Sequence, residues 1–126
     1  MKGKNILVID DDIPFSEMIS EILTEEGAQV FVAYNGAEGF EKAQQIHPHL
    51  IMCDVMMPRM PGVEVLRAIR MTEWGMQIPF ILLSNMNQPE LPVDATTSEF
   101  GYVECLLKTD WTLDQLSEKV AVLLAK

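Results

Sequence analysis

The sequence predicts an α/β fold in which a parallel sheet carries helices on both faces. Short apolar runs rich in β-branched residues alternate along the chain with longer amphipathic segments, which is typical of successive β-α-β units. The resulting order is βαβαβαβ(α)βα, and right-handed crossovers between parallel strands leave few topologies for it. With 126 residues, 48% of them hydrophobic, the chain suits one domain with one core. We therefore expect residues 1–126 to form a single domain.

Five apolar runs are the predicted strands. In chain order they are Asn5–Ile9, Gln29–Tyr34, Leu50–Cys53, Ile78–Leu83 and Val103–Leu107. The third run is continuously apolar and is followed by turn residues, which is typical of a strand buried in the middle of a sheet.

Apolar residues at helical spacing predict the helices. The first helix begins near Pro14 with Asp12 as its N-cap, because proline suits the first turn and aspartate accepts a bond from a free N–H. The last helix begins with a capping box, in which Thr112 is the cap and Gln115 lies three residues later. The side chains expected to face the core from the first two helices are Phe15, Met18, Ile19, Ile22, Leu23, Ala37, Phe40 and Ala43.

The segment between the fourth and fifth strands, Asn85 to Glu99, has no clear period. Pro89 and Pro92 exclude a helix before about Asp94. We expect a short or irregular fourth helix there.

Charge and cysteine content narrow the function. The net charge is −10, with 19 acidic against 9 basic residues, which argues against direct binding of nucleic acid because no basic patch is available for phosphates. Cys53 and Cys105 both lie in apolar runs without metal or disulfide spacing, so we expect buried thiols in a cytoplasmic protein. No apolar run reaches the length of a membrane span, and we expect no membrane association.

Polar residues follow four of the predicted strands. They are Asp10, Asp11 and Asp12 after the first strand, Asp54 after the third, Ser84 after the fourth and Lys108 after the fifth. Because the carboxyl ends of parallel strands meet at one edge of the sheet, these side chains are expected to lie together. Carboxylates that converge in this way repel one another and raise each other's pKa. We therefore expect a hard divalent cation with oxygen ligands, and Mg²⁺ fits such a small site.

This set of residues suits phosphoryl transfer. Asp54 is the candidate acceptor that forms an aspartyl phosphate. The metal and Lys108 offset the charge on the transferring oxygens, and the Ser84 hydroxyl is a donor for one of them. Taken singly, each residue is more often a turn residue, a cap or a solvated side chain. Their conjunction at one sheet edge favours the functional interpretation.

The same motifs resemble the receiver domain of two-component response regulators, of the single-domain kind found in chemotaxis regulators. The matching motifs are Ile-Leu-Val-Ile-Asp-Asp-Asp at 6–12, Asp-Val-Met-Met-Pro at 54–58 with Gly62, Pro-Phe-Ile-Leu-Leu-Ser at 79–84, and Leu-Lys at 107–108. The resemblance covers residues 4–125 and implies a flavodoxin-like, doubly wound sheet of order 2-1-3-4-5.

The resemblance implies a role for each site residue. It makes Asp54 the phosphoacceptor, assigns Mg²⁺ to Asp10, Asp11, Asp54 and the backbone oxygen of Met56, and assigns the phosphoryl oxygens to Ser84 and Lys108. The phosphoryl donor is then a phosphohistidine of a sensor histidine kinase or a phosphotransfer protein. The output is contact with a downstream protein through the strand-four to strand-five face, and the domain is not a turnover enzyme.

Three departures from the family pattern stand out, and two of them, at Cys105 and in the Pro89 to Pro92 segment, leave an alternative open. Cys105 stands where an aromatic residue is usual, Thr109 follows Lys108 in place of proline, and the Pro89 to Pro92 segment is unusual. The alternative is a protein-interaction module of the same fold that works without phosphorylation. A magnesium-dependent phosphatase would need a second acid where Met56 stands, and a flavin carrier would need a phosphate-binding loop of Ser, Thr and Gly after strand one.

Overall fold

A computed structural model describes residues 1–85 and 103–125. In this part of the chain, five strands form one parallel sheet of order β2-β1-β3-β4-β5. The strands are β1 (Asn5–Ile9), β2 (Gln29–Ala33), β3 (Leu50–Asp54), β4 (Phe80–Ser84) and β5 (Val103–Leu107). The predicted fold class and strand order are confirmed.

In the described residues, four helices and one short 3₁₀ turn lie between the strands or after the last strand. They are α1 (Ile13–Glu25), α2 (Gly36–Ile46), α3 (Gly62–Arg70), α4 (Leu113–Leu124) and the 3₁₀ turn Lys108–Asp110. Both predicted caps are confirmed, since Asp12 accepts from the N–H of Phe15 and the Thr112–Gln115 capping box is complete. The short or irregular helix predicted between β4 and β5 lies outside the described residues. Among the residues described, no helix has the length and apolar character that a membrane span requires.

The core consists of two clusters, one on each face of the sheet. One cluster packs Leu7, Ile9 and Ile51 against α2 and α3, and the other packs alternate strand residues against α1 and α4. Every residue of β3 is buried, which explains its continuous apolar run. Both cysteines are free thiols, but only Cys53 is buried, and Cys105 is half-buried beside the first cluster. The burial predicted for Cys105 is therefore only partial.

Some strand boundaries differ from the prediction. β2 ends at Ala33, because the N–H of Tyr34 turns to donate to a carboxylate oxygen of Glu38 at 2.7 Å. β4 begins at Phe80, where its ladder with β3 starts. β3 continues through Asp54, which still pairs with β4. The candidate acceptor is thus the last residue of a central strand, and its backbone is held by the sheet.

Two side chains predicted to face the core do not. Met18 is 48% exposed and Ala37 is exposed. The buried face of α1 passes through Ile19 and Leu23, and neighbouring helix positions are rotated by about 100°, so Met18 points to solvent. In α2 the buried positions include Gly39, which packs directly on β1, and Ala37 lies outside that stripe.

Candidate functional site

The carboxyl edge of the sheet carries four polar residues that the sequence singled out. Asp10 directly follows β1, Asp54 ends β3, Ser84 ends β4 and Lys108 directly follows β5. The register pairs the last residue of β1 with the residue before Asp54, so Asp10 and Asp54 leave neighbouring strands at the same level. Parallel pairing therefore brings together residues that are far apart in the chain.

Three carboxylates converge at this edge. Asp10, Asp11 and Asp54 each offer an oxygen, and these oxygens lie within 4.8 Å of one another. Asp10 is fully buried and Asp54 is 2% exposed, whereas Asp11 is exposed. Asp12 has a different task, because its side chain accepts from the N–H of Phe15 at 3.1 Å and so caps α1. One exposed and two buried carboxylates thus define the acidic pocket.

Lys108 provides the positive charge of the pocket. Its Nζ lies 2.7 Å from Asp10 Oδ2 and 3.8 Å from Asp54 Oδ2. The Lys108 side chain is only 10% exposed, so it is not the solvated lysine that is usual near a strand end. The ammonium therefore makes its close ion pair with Asp10 and stands within reach of the candidate acceptor.

The pocket raises the pKa of both buried carboxyl groups. Burial raises the pKa of Asp54 from 3.8 to about 7; the charges of Asp10 and Asp11 add to this effect, while Lys108 and a hydrogen bond from the backbone N–H of Met56 oppose it. Burial also raises the pKa of Asp10, against hydrogen bonds from Lys108 and from the N–H of Asp12. Desolvation therefore acts more strongly than the mutual repulsion that the sequence predicts.

Apart from Asp10 Oδ2, which forms the ion pair with Lys108, two buried oxygens in the pocket have no hydrogen-bond partner within the described ranges. They are Asp54 Oδ1 and Ser84 Oγ. A buried polar atom left without a partner costs about 1 to 3 kcal/mol. Asp54 Oδ1, together with the carboxylates of Asp10 and Asp11, is a suitable ligand set for a hard divalent cation. The Ser84 hydroxyl is a suitable donor to an oxyanion. The donor set thus fits Mg²⁺, and the pocket is an acidic site with the composition to hold a metal ion.

Two glycines hold the loop that follows Asp54. A Cβ built on Gly62 would lie 2.2 Å from the Asp54 carbonyl oxygen, and one built on Gly36 would lie 2.1 Å from the Met60 carbonyl oxygen. The N–H of Gly62 also donates to the Val55 carbonyl at 2.9 Å. The first turns of α2 and α3 therefore pack against this loop from two sides and hold its backbone beside the candidate acceptor, Asp54.

The sequence prediction missed two residues that contact the site. Ser16 is fully buried, and its hydroxyl donates to the carbonyl oxygens of Asp10 at 3.3 Å and Asp12 at 2.9 Å. Phe15, which was assigned only to the core, also lies under the Lys108 ammonium, 4.7 Å from Nζ to the ring centroid. A signal for Ser16 was available, because it is a polar residue on the core-facing stripe of α1. No local pattern indicated the contact of Phe15.

The chain belongs to the response regulator receiver domain family, whose model matches residues 6–121. It is 46% identical over 80 residues to Response regulator RR06 of Streptococcus pneumoniae, which covers 64% of this chain and 36% of that protein. It is 31% identical over 119 residues to Regulator of RpoS of Escherichia coli, covering 94% of this chain and 34% of that protein. The chain therefore spans about a third of the length of these two relatives. Receiver domains of this family accept phosphoryl groups from histidine kinases.

Solved structures agree with this assignment. The chemotaxis response regulator CheY4 of Vibrio cholerae superposes with a TM-score of 0.84 at 28% identity, covering 95% of this chain and 98% of that one. The signal receiver domain of a histidine kinase from Syntrophus aciditrophicus gives a TM-score of 0.84 at 29% identity, covering 98% and 91%. These solved structures therefore support the receiver fold that the sequence motifs predicted.

Proposed function

We propose that Asp54 is the residue at which this receiver domain takes a phosphoryl group from a phosphohistidine of a histidine kinase or phosphotransfer protein. The observation that carries this proposal is the meeting of Asp10, Asp11 and Asp54 within 4.8 Å beside the buried Lys108 ammonium. An acidic pocket with a single lysine has an excess of negative charge. A divalent cation would offset this excess and so allow a phosphoryl group to approach Asp54.

The transfer is a displacement at phosphorus. A carboxylate oxygen of Asp54 forms the new P–O bond while the P–N bond of the phosphohistidine breaks, and the imidazole nitrogen leaves with the electron pair and takes up a proton. Asp54 Oδ1 has no partner among the described residues, which leaves it available for attack. The carboxyl group must be ionised to attack, and its raised pKa of about 7 makes the reaction sensitive to pH near neutrality.

Two side chains are available for the phosphoryl oxygens. Ser84 Oγ is buried and has no acceptor among the residues described, so its O–H is a donor waiting for an oxygen. Lys108 Nζ stands 3.8 Å from Asp54 Oδ2 and needs only a small displacement to reach an oxygen bound to phosphorus there. Interactions of this kind stabilise the charge that the phosphoryl group carries during transfer.

Mg²⁺ would be held by Asp10, Asp11, Asp54 and the backbone oxygen of Met56. When bound, it neutralises charge on the carboxylates and on the phosphoryl oxygens. Asp11, as the exposed member of the pocket, lies where a hydrated cation enters from solvent. The β3–α3 loop, held by Gly36 and Gly62, keeps the Met56 backbone next to the carboxylates.

We further propose that phosphorylation changes the affinity of a downstream protein for the β4–β5 face. Ser84 ends β4 and Lys108 follows β5. A movement of these two side chains toward the phosphoryl oxygens would therefore also displace the ends of these two strands. A switch of this type works only through different affinities of the partner for the two states. A partner that binds equally well with and without the modification would instead support a phosphorylation-independent interaction module.

The test is labelling by a small phosphoryl donor. Wild-type protein is incubated with acetyl phosphate and Mg²⁺, and the intact mass is followed with time. We expect one phosphoryl adduct, its loss in Asp54→Ala, and an unchanged adduct in Asp114→Asn, which alters an exposed carboxylate of α4. An adduct of equal yield on Asp54→Ala would overturn the assignment of the acceptor.

A further inference from the structure

Phe15 contacts the lysine of the site from outside the acidic pocket. Lys108 Nζ lies over the Phe15 ring, 4.7 Å from its centroid, and at the same time 2.7 Å from Asp10 Oδ2. A cation within about 6 Å of an aromatic centroid is attracted by the ring face, and the attraction grows when the cation is removed from water. Because the Lys108 side chain is only 10% exposed, the ring takes the place of water around this ammonium.

Hydrogen bonds tie the Phe15 backbone to the acidic loop. The N–H of Phe15 donates to Asp12 Oδ1 at 3.1 Å. The hydroxyl of the next residue, Ser16, donates to the carbonyl oxygens of both Asp10 and Asp12. The first turn of α1 is therefore anchored to the carboxyl edge of the sheet, and the ring of Phe15 belongs to a fixed part of the site.

We propose that Phe15 is a positioning residue for phosphoryl acceptance, whose ring face guides the Lys108 ammonium from Asp10 to the phosphoryl group on Asp54. The proposal rests on the proposed function of Asp54. Lys108 Nζ lies 2.7 Å from Asp10 and 3.8 Å from Asp54. To bind a phosphoryl group on Asp54, the ammonium therefore moves away from Asp10.

The shape of the interaction suits such a displacement. A hydrogen bond is lost when its partner moves by an ångström, because it depends on distance and angle. The attraction of a cation to a ring face is broad, and it persists while the ammonium moves across the ring. Without the ring, water would occupy this side of the lysine, and the long side chain would gain rotamers that point away from Asp54.

The experiment compares ring variants that differ in π-electron density. Phe15→Leu removes the ring, Phe15→Tyr retains it, and a phenylalanine analogue fluorinated around the ring keeps the shape while it withdraws π density. Phe40→Leu is the matched control, because Phe40 is also a half-buried phenylalanine but packs in the cluster on the other sheet face. Folding of each variant is checked by far-UV circular dichroism.

Two measurements are made on each variant. The first is the NMR shift of the Lys108 ε-methylene protons, which a ring face moves upfield. The second is the rate of phosphoryl labelling at Asp54 by acetyl phosphate with Mg²⁺. We expect Phe15→Leu to lose the upfield shift and to label about twofold to thirtyfold more slowly than wild type. The fluorinated analogue should also label more slowly, and Phe15→Tyr and Phe40→Leu should label like wild type.

The outcomes separate this inference from the proposed function. If wild type accepts label and the fluorinated analogue labels at the same rate, the ring does not guide the lysine and the inference is wrong, whatever the stability of Phe15→Leu. Equal slowing by Phe40→Leu would also overturn it, because the effect would then follow from general packing. A wild-type protein that takes no label would remove the proposed function itself, and this inference with it.

Discussion

Replacing Asp54 by asparagine is expected to stabilise the fold at pH 8 when divalent cations are absent. The Asp54 carboxyl group is 2% exposed, and burial together with the charges of Asp10 and Asp11 raises its pKa to about 7. At pH 8 the folded protein must therefore hold an unfavourable ionised carboxylate that the unfolded chain would expose to water. Asparagine has nearly the same shape and carries no charge, so it removes this cost.

The size and sign of the effect follow from proton linkage. A pKa that moves from 3.8 to about 7 on folding corresponds to about 4 kcal/mol of destabilisation once the group is ionised in both states. Asparagine also gives up the attraction to Lys108, so we expect a gain of about 2 to 4 kcal/mol at pH 8. Near pH 4 the folded Asp54 is protonated, as its unfolded counterpart begins to be, and the gain should almost vanish. It grows as the pH rises from 4 to 7.

Urea unfolding followed by far-UV circular dichroism measures this effect. We compare wild type, Asp54→Asn and the control Glu118→Gln, which alters an exposed carboxylate of α4. The measurements are made with a chelator at about pH 4.5, 6 and 8, because the gain in stability is expected to grow over this pH range. Added Mg²⁺ should stabilise wild type at pH 8 more than Asp54→Asn if, as we propose, it binds the folded acidic pocket. A gain that is equal at low and high pH, or a loss at pH 8, would refute the reasoning.

Three further substitutions test individual contacts by urea unfolding at pH 7. Lys108→Ala should lower the free energy of unfolding by about 3 kcal/mol, because it leaves the buried Asp10 carboxylate without its ion pair. Mg²⁺ should restore part of this stability, and an unchanged urea midpoint in Lys108→Ala would contradict the prediction. Gly62→Ala should cost about 2 kcal/mol or more and slow phosphoryl labelling, because the added Cβ meets the Asp54 carbonyl; wild-type labelling would speak against it. Thr112→Ala should cost about 1 kcal/mol through loss of the capping box of α4 while labelling stays unchanged, and an unaltered stability would show that the cap contributes nothing.

Much of the fold could be predicted because the relevant signals are local. β1 and β5 agree with the predicted residues, since each is bounded by turn or cap residues next to it. The end of β2 was missed because of a local bond from Tyr34 to Glu38, whereas other errors arose where a neighbour distant in sequence decided the outcome. β4 begins at Phe80 because its ladder with β3 starts there. Met18 is exposed because the face of α1 that packs on the sheet is narrower than the stripe of apolar residues along the helix.

The membership of the candidate site was also available from the sequence. A residue that follows a predicted parallel strand lies at the carboxyl edge wherever that strand is placed in the sheet, so Asp10, Asp54, Ser84 and Lys108 could be assigned to one edge without coordinates. The distances between these side chains, their pairing and their burial could not be predicted in this way. The ion pair of Lys108 with Asp10 and the burial that raises the pKa of Asp54 depend on distances of a few ångströms.

The amino-acid pattern alone was enough to establish the α/β class, the order of the elements and the chemical groups at the candidate site, because hydrophobic period, caps and strand ends are properties of neighbouring residues. Three contacts came from the folded structure: Lys108 pairs with Asp10 more closely than with Asp54, Gly62 packs against the Asp54 backbone, and Phe15 lies under the ammonium. The contacts of Lys108 join segments far apart in the chain, that of Gly62 depends on how the loop after Asp54 folds back, and close packing of the two core layers sets the distances.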